Sequence, residues 1–347
     1  MDFVAEEDVR KLAEANLNNV CEGVPADAVR DGVEQYTGKV RENFTMPDGE
    51  KRILVTTDQV SAFDARVGTI PFKGQVLDTL THWWFEKTRP LVPDHIKERP
   101  APVITLADEC EPLMVEMVVR GYLTGSSSTS IWRAYDKDEA RIFCGHPLPD
   151  GMKKNQRLPY VMVTPSTKAA HGDHDVSISA AEVLDMGLLP GDENEQEALW
   201  EHLNSQALAL FGMGTAIAAS QGYILVDTKY EFGRTADGRI VVIDEAHTPD
   251  SSRYWVSSDY AERFAEGQSP RSMSKQFVRN ALTDMGYDPK VDAHEKPPML
   301  TDEKRVECAV RYVMLCQELT GQRFEPDTRS VGDRVYDPLE KLAVLRR

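Results

Sequence analysis

Positive charge, paired cysteines and long apolar runs are all scarce in this sequence of 347 residues. Lys and Arg number 40 against 57 Asp and Glu, a formal net charge of −17. A surface that acidic repels phosphate backbones and anionic headgroups, which argues against nonspecific nucleic-acid binding and against anionic membrane surfaces. A local cluster of Lys and Arg can still reverse the field in one cleft, so an anionic small molecule stays admissible. The five cysteines (Cys21, Cys110, Cys144, Cys308, Cys316) include no Cys-x-x-Cys pair. An odd set at that spacing argues against a zinc knot or a disulfide framework and fits reduced thiols. No apolar run approaches membrane-spanning length, and the acidic start "MDFVAEEDVRKLAEANL" lacks the basic-then-apolar order of a signal peptide. A cytoplasmic protein is expected, with no membrane partner.

What is present is globular: 41% hydrophobic and 28% charged residues, with length for two domains or one large α/β domain with additions. Residues 5–18 read as a polar surface helix. From Tyr36 the pattern turns strand-like, "YTGKVRENF", then a turn at Pro47, Asp48 and Gly49, then "KRILVTTD". Residues 75–88 read as a helix, and Pro90, Pro93, Pro100 and Pro102 mark a linker-like passage. "PLMVEMVVRGYLTG" is β-rich up to Arg120, with a helix expected from about Ser127. Residues 144–176, rich in Pro, Gly, Lys and His, read as an ordered loop. "SAAE" (179–182) is a capping-box signature. The helical pattern is strongest over 193–220, where Leu199, Leu203, Leu210 and Ile217 form one apolar line.

The stretch "YILVDTKYEFG" (223–233) is a strand with Asp227, Lys229 and Glu231 all on one side. "TADG" and a second strand, "RIVVID", complete a hairpin. A two-residue turn at Asp237 and Gly238 pairs Glu231 with Asp244. A four-residue turn pairs Lys229 with Asp244. Both registers put Asp227, Lys229, Glu231 and Asp244 on one face, and only an odd slip would change the side. Facing carboxylates repel unless a cation sits between them. Either Mg²⁺ with nucleotide phosphates fills that role, or the face is a solvated hairpin laced by Lys229 salt bridges. "DEAHTPDSSR" (244–253) follows and packs Asp244, Glu245, Asp250 and Arg253 into a turn or a catalytic loop. "GKVREN" places Lys39 and Arg41 on one strand face behind Gly38, without a full phosphate-loop motif. "EMVVRG" sets Glu116 and Arg120 on one face of an apolar strand, ahead of "GYLTGSSS" with Ser126. That is either an anion site or an Arg–Glu pair at a sheet edge. "TPSTKAAHGDHD" holds Lys168, His171 and His174, and the two histidines are read as solvated loop residues in preference to metal ligands.

Taken in order, "GKVRENF", "TTDQVSAFD", "IPFKG", "VVRGYLTGSS", "TPSTKAAHGDHD", "LVDTKYEFG", "DEAHTPDSSRYW" and "KQFVRNAL" resemble the phosphoribosylaminoimidazole-succinocarboxamide synthase (SAICAR synthetase) family. The resemblance runs from about residue 36 to 282. It implies an α+β fold: an N-terminal antiparallel β lobe with a leading helix (1–112), a larger α/β catalytic lobe (113–285), and a C-terminal helical extension (286–347). It places ATP in a cleft between the lobes, with a nucleotide site like that of kinases and ATP-grasp enzymes. The implied reaction joins L-aspartate to the carboxylate of the imidazole ribotide CAIR, using ATP and Mg²⁺, in purine biosynthesis. By the same resemblance Gly38, Lys39 and Arg41 cover the ATP phosphates, and Glu116 lies near the adenine. Arg120, Ser126 and Arg253 hold the phosphoribosyl substrate, Asp227 and Lys229 contact its imidazole and carboxylate, and Glu231 and Asp244 bind magnesium. Asp227 and Asp250 both stay open as the general base. The segment from about 131 to 163 and the tail beyond about 285 have no counterpart in the shortest family members. Rival readings are a kinase-like phosphotransferase acting on a small anionic metabolite and a nucleotide-binding regulatory module.

Overall fold

The computed structural model describes residues 2–63, 65–127, 129–168, 175–287 and 295–346, so His171 and His174 lie outside the described residues. The chain divides into two compact units. The first comprises Met1–Trp84, His95–Glu109 and Met273–Arg347, and the second Phe85–Asp94 and Cys110–Ser272.

The first unit contains β1 (Glu34–Thr37), β2 (Arg41–Thr45), β3 (Lys51–Thr56), β4 (Gln59–Ala62), β5 (Ala65–Thr69), β6 (Ile96–Ala101) and β7 (Ile104–Asp108). Five of these form an antiparallel sheet in the order β1-β2-β3-β7-β6, while β4 and β5 pair separately. Residues 36–44, expected as one strand, make a tight hairpin instead: the Gly38 N–H donates to the Arg41 carbonyl at 2.8 Å. Lys39 therefore sits in the turn between β1 and β2, and Arg41 opens β2 with its side chain buried. The reason is local. The Thr57 N–H and hydroxyl both donate to the Val40 carbonyl, at 3.0 and 2.8 Å, and pin the turn.

The final 62 residues were expected as a separate helical extension, yet the described part of 286–347 belongs to this first unit. Val335, Leu339, Val344 and Leu345 pack with Phe44, Ile53, Val55 and Ile104 in one buried cluster on the five-stranded sheet. Apolar residues at the chain end fill a sheet face that would otherwise meet water. The leading helix α1 (Glu6–Ala15) is likewise not purely a surface helix, since Val9 and Ala13 are fully buried. Buried Asp58 ties distant segments together. Its Oδ2 accepts from the Cys21 N–H at 2.7 Å and from Arg334 at 3.2 Å, and its Oδ1 from the Gly74 N–H at 2.9 Å. Gly74 lies in the first turn of α2 (Lys73–Thr88), so one carboxylate joins the N-terminal segment, a helix start and the tail.

The second unit contains β8 (Cys110–Tyr122), β9 (Ile142–Phe143), β10 (His146–Pro147), β11 (Arg157–Val163), β12 (Ser166–Thr167), β13 (Tyr223–Thr235), β14 (Ile240–Ile243) and β15 (Ser252–Val256). Its sheet runs β11-β8-β13-β14, with β12 also on β8 and β15 also on β13. Thus β8 is an inner strand, not an edge. The described residues of 144–176, expected as a loop, hold all of β10, β11 and β12. Pro159 and a register shift between Arg157 and Met162 hide the alternation that marks a strand. Beyond α3 (Ile131–Asp136), the capping box at Ser179 and Glu182 opens α4 (Ala180–Asp185) as the sequence implies. A second box, Asp192 with Glu195, opens α5 (Glu193–Ser220), whose Leu203, Ala207, Leu210, Phe211 and Ala218 are buried.

The β13–β14 hairpin takes neither expected register. Glu231 stands opposite Ile243 and Arg234 opposite Ile240, around a three-residue loop of Ala236, Asp237 and Gly238. That is the odd slip. Gly238 adopts a left-handed φ of +85°, and the Thr235 hydroxyl accepts the Arg239 N–H at 3.0 Å, which together favour the extra residue. Asp244 thus leaves the end of β14 with a left-handed φ of +67° and is not a cross-strand partner of Glu231.

Candidate active site

Two long strands make the site possible. β8 and β13 pair antiparallel, with Arg120 opposite Asp227, Val118 opposite Lys229, and Glu116 opposite Glu231. Directly opposed residues share a face, so six side chains form one patch. Neighbouring strands extend it: Arg253 of β15 stands opposite Asp227, and Ser166 of β12 opposite Glu116. On the reverse face Thr228, Tyr230 and Phe232 are buried, so β13 is covered on both sides.

At one end of the patch two carboxylates meet. Lys229 Nζ donates to Glu116 Oε1 at 2.6 Å and also to Glu231 Oε1, while Lys168 Nζ reaches Glu231 Oε2 at 2.5 Å. The Ser166 hydroxyl donates to Glu116 Oε2 at 3.0 Å. Burial raises the Glu116 pKa above the usual glutamate value, with Lys229 pulling it back. Burial also works against the ammonium of Lys229, but the Glu231 and Glu116 carboxylates overcome it and hold the lysine well above its ordinary value. Glu231, buried but flanked by Lys229 and Lys168, is held far below the glutamate range. The arrangement is a fixed row of alternating charge.

At the other end, two guanidinium groups share one carboxylate. Arg253 and Arg120 both pair with Asp227 Oδ2, the latter at 3.5 Å. Arg120 also donates from Nε to the Thr164 hydroxyl at 2.8 Å and from Nη2 to the Thr129 carbonyl at 3.0 Å. Among the described residues no other carboxylate pairs with either guanidinium, which leaves one positive charge in excess at a site only 5% exposed at Arg120 and at Asp227. Buried charge of one sign is costly unless a counter-ion meets it, so the cluster favours an anionic ligand. The "GYLTG" loop closes against it. Gly125 has a φ of +101°, and a Cβ there would stand 3.2 Å from Arg253 Nη2 and 2.5 Å from the Ser130 Cβ. Exposed Ser126 follows directly.

The loop 244–253 borders Lys229, whose backbone N–H donates to the Ser251 carbonyl at 3.1 Å. His247 lies beneath it, fully buried, with a left-handed φ of +54°. Its Nε2 is 3.1 Å from the Tyr230 hydroxyl, and its carbonyl accepts from Tyr254 at 2.6 Å. Burial pushes its pKa down to about 3, so the imidazole packs there in its neutral form. Half-buried Asp250 donates its N–H to the Thr248 hydroxyl at 3.3 Å, and half-buried Asp244 begins the loop. Among the described residues no cluster of three or more His, Cys, Asp or Glu is arranged to hold a metal ion.

The structure therefore brings together Glu116, Arg120, Asp227, Lys229, Glu231 and Arg253, with Ser126 beside them. Asp244 and Asp250 lie on the bordering loop. Gly38, Lys39 and Arg41 belong to the other unit. Glu116, expected near adenine, has its carboxylate on Lys229 and Ser166. Thr164, Ser166 and Lys168 were not foreseen in these roles. Their signal was "TPSTK", a polar string read as a loop because its strands are short.

Fold and site together define a mixed α+β protein whose central sheet presents a charged face suited to an anionic substrate. The SAICAR synthetase family model matches residues 34–294. The chain is 42% identical over 310 residues to the phosphoribosylaminoimidazole-succinocarboxamide synthase of Legionella pneumophila (strain Paris), covering 89% of this chain and 95% of that one. Among solved structures it is similar to the SAICAR synthase from Saccharomyces cerevisiae complexed with SAICAR, with a TM-score of 0.70 and 26% identity over 88% of this chain and 99% of that one. A type-2 SAICAR synthetase in complex with ADP shares the fold at TM-score 0.60 and 21% identity, over 84% of this chain and all of the other (100%). This chain belongs to the SAICAR synthetase family.

Proposed function

We propose that the protein is an ATP-dependent C–N ligase that joins L-aspartate to the carboxylate of CAIR, giving SAICAR, ADP and phosphate in purine biosynthesis. The observation that carries this reading is the shared Asp227: the buried Arg120 and half-buried Arg253 guanidinium groups on one carboxylate leave positive charge in excess for an anionic substrate beside Lys229. A carboxylate on an electron-rich imidazole is a poor electrophile. Transfer of the ATP γ-phosphoryl to a carboxylate oxygen breaks the bond to the β-bridging oxygen, releases ADP and leaves an acyl phosphate. The aspartate amine then attacks the acyl carbon, the carbon–oxygen bond breaks, phosphate departs, and the amine proton passes to a base. Asp227 and Asp250 both remain open for that last role.

The protein's share of the work is positioning and charge cancellation. Arg120 and Arg253, with Ser126, are assigned to the phosphoribosyl and carboxylate anions, which an Arg fork matches bidentately. Lys229 is assigned to the oxygen where charge grows during phosphoryl transfer, with Glu116 fixing its ammonium and Glu231 sharing it. In the other unit, Gly38, Lys39 and Arg41 are assigned to the ATP phosphates. The turn there is tight enough that a Cβ at Gly38 would stand 3.1 Å from the Arg41 carbonyl oxygen. Glu231 and Asp244 are assigned to magnesium, which usually takes one or two carboxylates plus substrate phosphates and not an all-protein cage; Lys229 and Lys168 hold the Glu231 oxygens in this structure and would have to yield one of them. When bound, the ion would neutralise phosphate charge. The testing experiment supplies ATP, Mg²⁺ and CAIR, with and without L-aspartate, and follows ADP and SAICAR together. Stoichiometric ADP and SAICAR that require aspartate support the ligase. Steady ADP release indifferent to aspartate would point to a phosphotransferase and against this proposal.

A further inference from the structure

The segment 131–163, expected to be missing from the shortest family members, builds a small core together with Leu123. Leu123, Ile131, Tyr135, Phe143, Leu148, Met152, Leu158 and Met162 form one buried cluster. Within it, β9 and β10 make a two-residue hairpin, Phe143 opposite His146, turned by Cys144 and Gly145 at φ +50° and +82°. Two successive left-handed residues give the turn whose twist suits a tight hairpin. The hairpin is anchored to β11, since His146 Nε2 contacts the Val163 carbonyl at 2.8 Å. Its consequence is the placement of one ring. The Arg120 guanidinium carbon lies 5.8 Å from the centroid of Phe143. Met162, from the same cluster, is the cross-strand partner of Arg120. Arg120 is thus held by polar groups at Nε, Nη1 and Nη2 and by an aromatic ring from the inserted segment.

We propose that Phe143 is a positioning residue that fixes the Arg120 guanidinium toward the anionic substrate, so that the inserted hairpin governs how tightly CAIR is held. The ring's electron-rich face attracts the cation at a desolvated site, where such contacts are strongest. It also excludes water that would loosen the guanidinium from Asp227 and the incoming anion. The inference rests on the assignment of Arg120 to the substrate, and the test separates the two.

Phe143→Leu keeps apolar bulk and deletes the π face. It is expected to raise KM for CAIR about 3- to 30-fold, the span of cation–π strengths from exposed to desolvated sites, and to leave KM for ATP unchanged. Phe143→Tyr should keep the parent values. Leu148→Ala, in the same cluster, should lower the thermal midpoint without moving KM for CAIR. In an Arg120→Lys background Phe143→Leu should add nothing, because its effect runs through the guanidinium. If Phe143→Leu does not fold, Phe143→Met carries the same expectation. An unchanged KM for CAIR in a folded Phe143 variant, or an equal rise in the Arg120→Lys background, overturns the proposal. An unchanged KM in Arg120→Lys alone overturns the substrate assignment beneath it.

Discussion

Lys229 is the residue on which most of the site's charge turns, with Glu116 and Glu231 both on its ammonium. Lys229→Met preserves the stem and deletes the cation. The expected result is a folded protein that still binds ATP and CAIR but has lost on the order of 10² in kcat, since the charge matters most as the phosphoryl group moves. Equilibrium binding and single-turnover rates measured on the same variant check this. A pH signature should accompany it. In the parent, the stabilisation due to the raised Lys229 is complete below the ordinary lysine value and is lost only as pH rises through its higher folded value. That due to the lowered Glu231 is complete above the ordinary glutamate value and is lost as pH falls through its lower folded value. Between about pH 5 and 9 the pair contributes a flat term. Without the lysine, Glu116 loses its cation while keeping the Ser166 hydroxyl and the facing Glu231 carboxylate, and its already raised pKa should climb further. A raised carboxyl stabilises most at low pH, so the deficit in urea stability of Lys229→Met should be larger at pH 8 than at pH 5.5. At the other cluster, Arg120→Lys should raise KM for CAIR and spare that for ATP, because a point charge cannot serve Thr164, Asp227 and a ligand at once. Steady-state kinetics with each substrate varied in turn decides it.

Among the elements, α5 and the loop 244–253 are joined through His247. A Cβ on Gly214 would stand 2.5 to 2.9 Å from three atoms of that imidazole, which is fully buried. Gly214→Ala should therefore cost about 1–3 kcal/mol, the usual penalty of overpacking, and disturb the loop that borders Lys229. Urea unfolding and kcat measured together should both fall. The same region shows how far the sequence could be read. The 193–220 helix was legible because a 3.6-residue period repeats over many turns, and the capping box at Ser179 because its chemistry is local. The charged face of β13 was legible from alternation alone. The β13–β14 register was not, because a turn of two, three or four residues differs by hydrogen bonds at Thr235 and Asp237 that composition does not weigh. Nor was β11, since Pro159 and the register shift erase its alternation. His247 drew no reading from the sequence, and only the tertiary structure shows it against Tyr230.

At the level of the whole molecule, the tail is part of the first unit and not an appendage. Arg334 reaches buried Asp58 and the Asn19 carbonyl, at 3.2 and 2.9 Å, and four apolar tail residues lie in the sheet's core cluster. Breaking one partner of a buried ion pair typically costs about 3–5 kcal/mol, so Arg334→Met should lower stability by that order, as read from denaturant midpoints. A midpoint within experimental error of the parent would contradict the anchoring role. The sequence foresaw helices in this tail but not their destination, because Val335, Leu339, Val344 and Leu345 declare apolar character without naming the surface they cover. The central claim is that the substrate carboxylate is first phosphorylated and then joined to aspartate. It is tested most directly with CAIR labelled with oxygen-18 in its carboxylate, incubated with ATP, Mg²⁺, L-aspartate and the enzyme. The account predicts SAICAR, ADP and phosphate that carries a labelled oxygen from the carboxylate, in step with product. Unlabelled phosphate accompanying SAICAR, or ADP formed with no SAICAR at all, would contradict it.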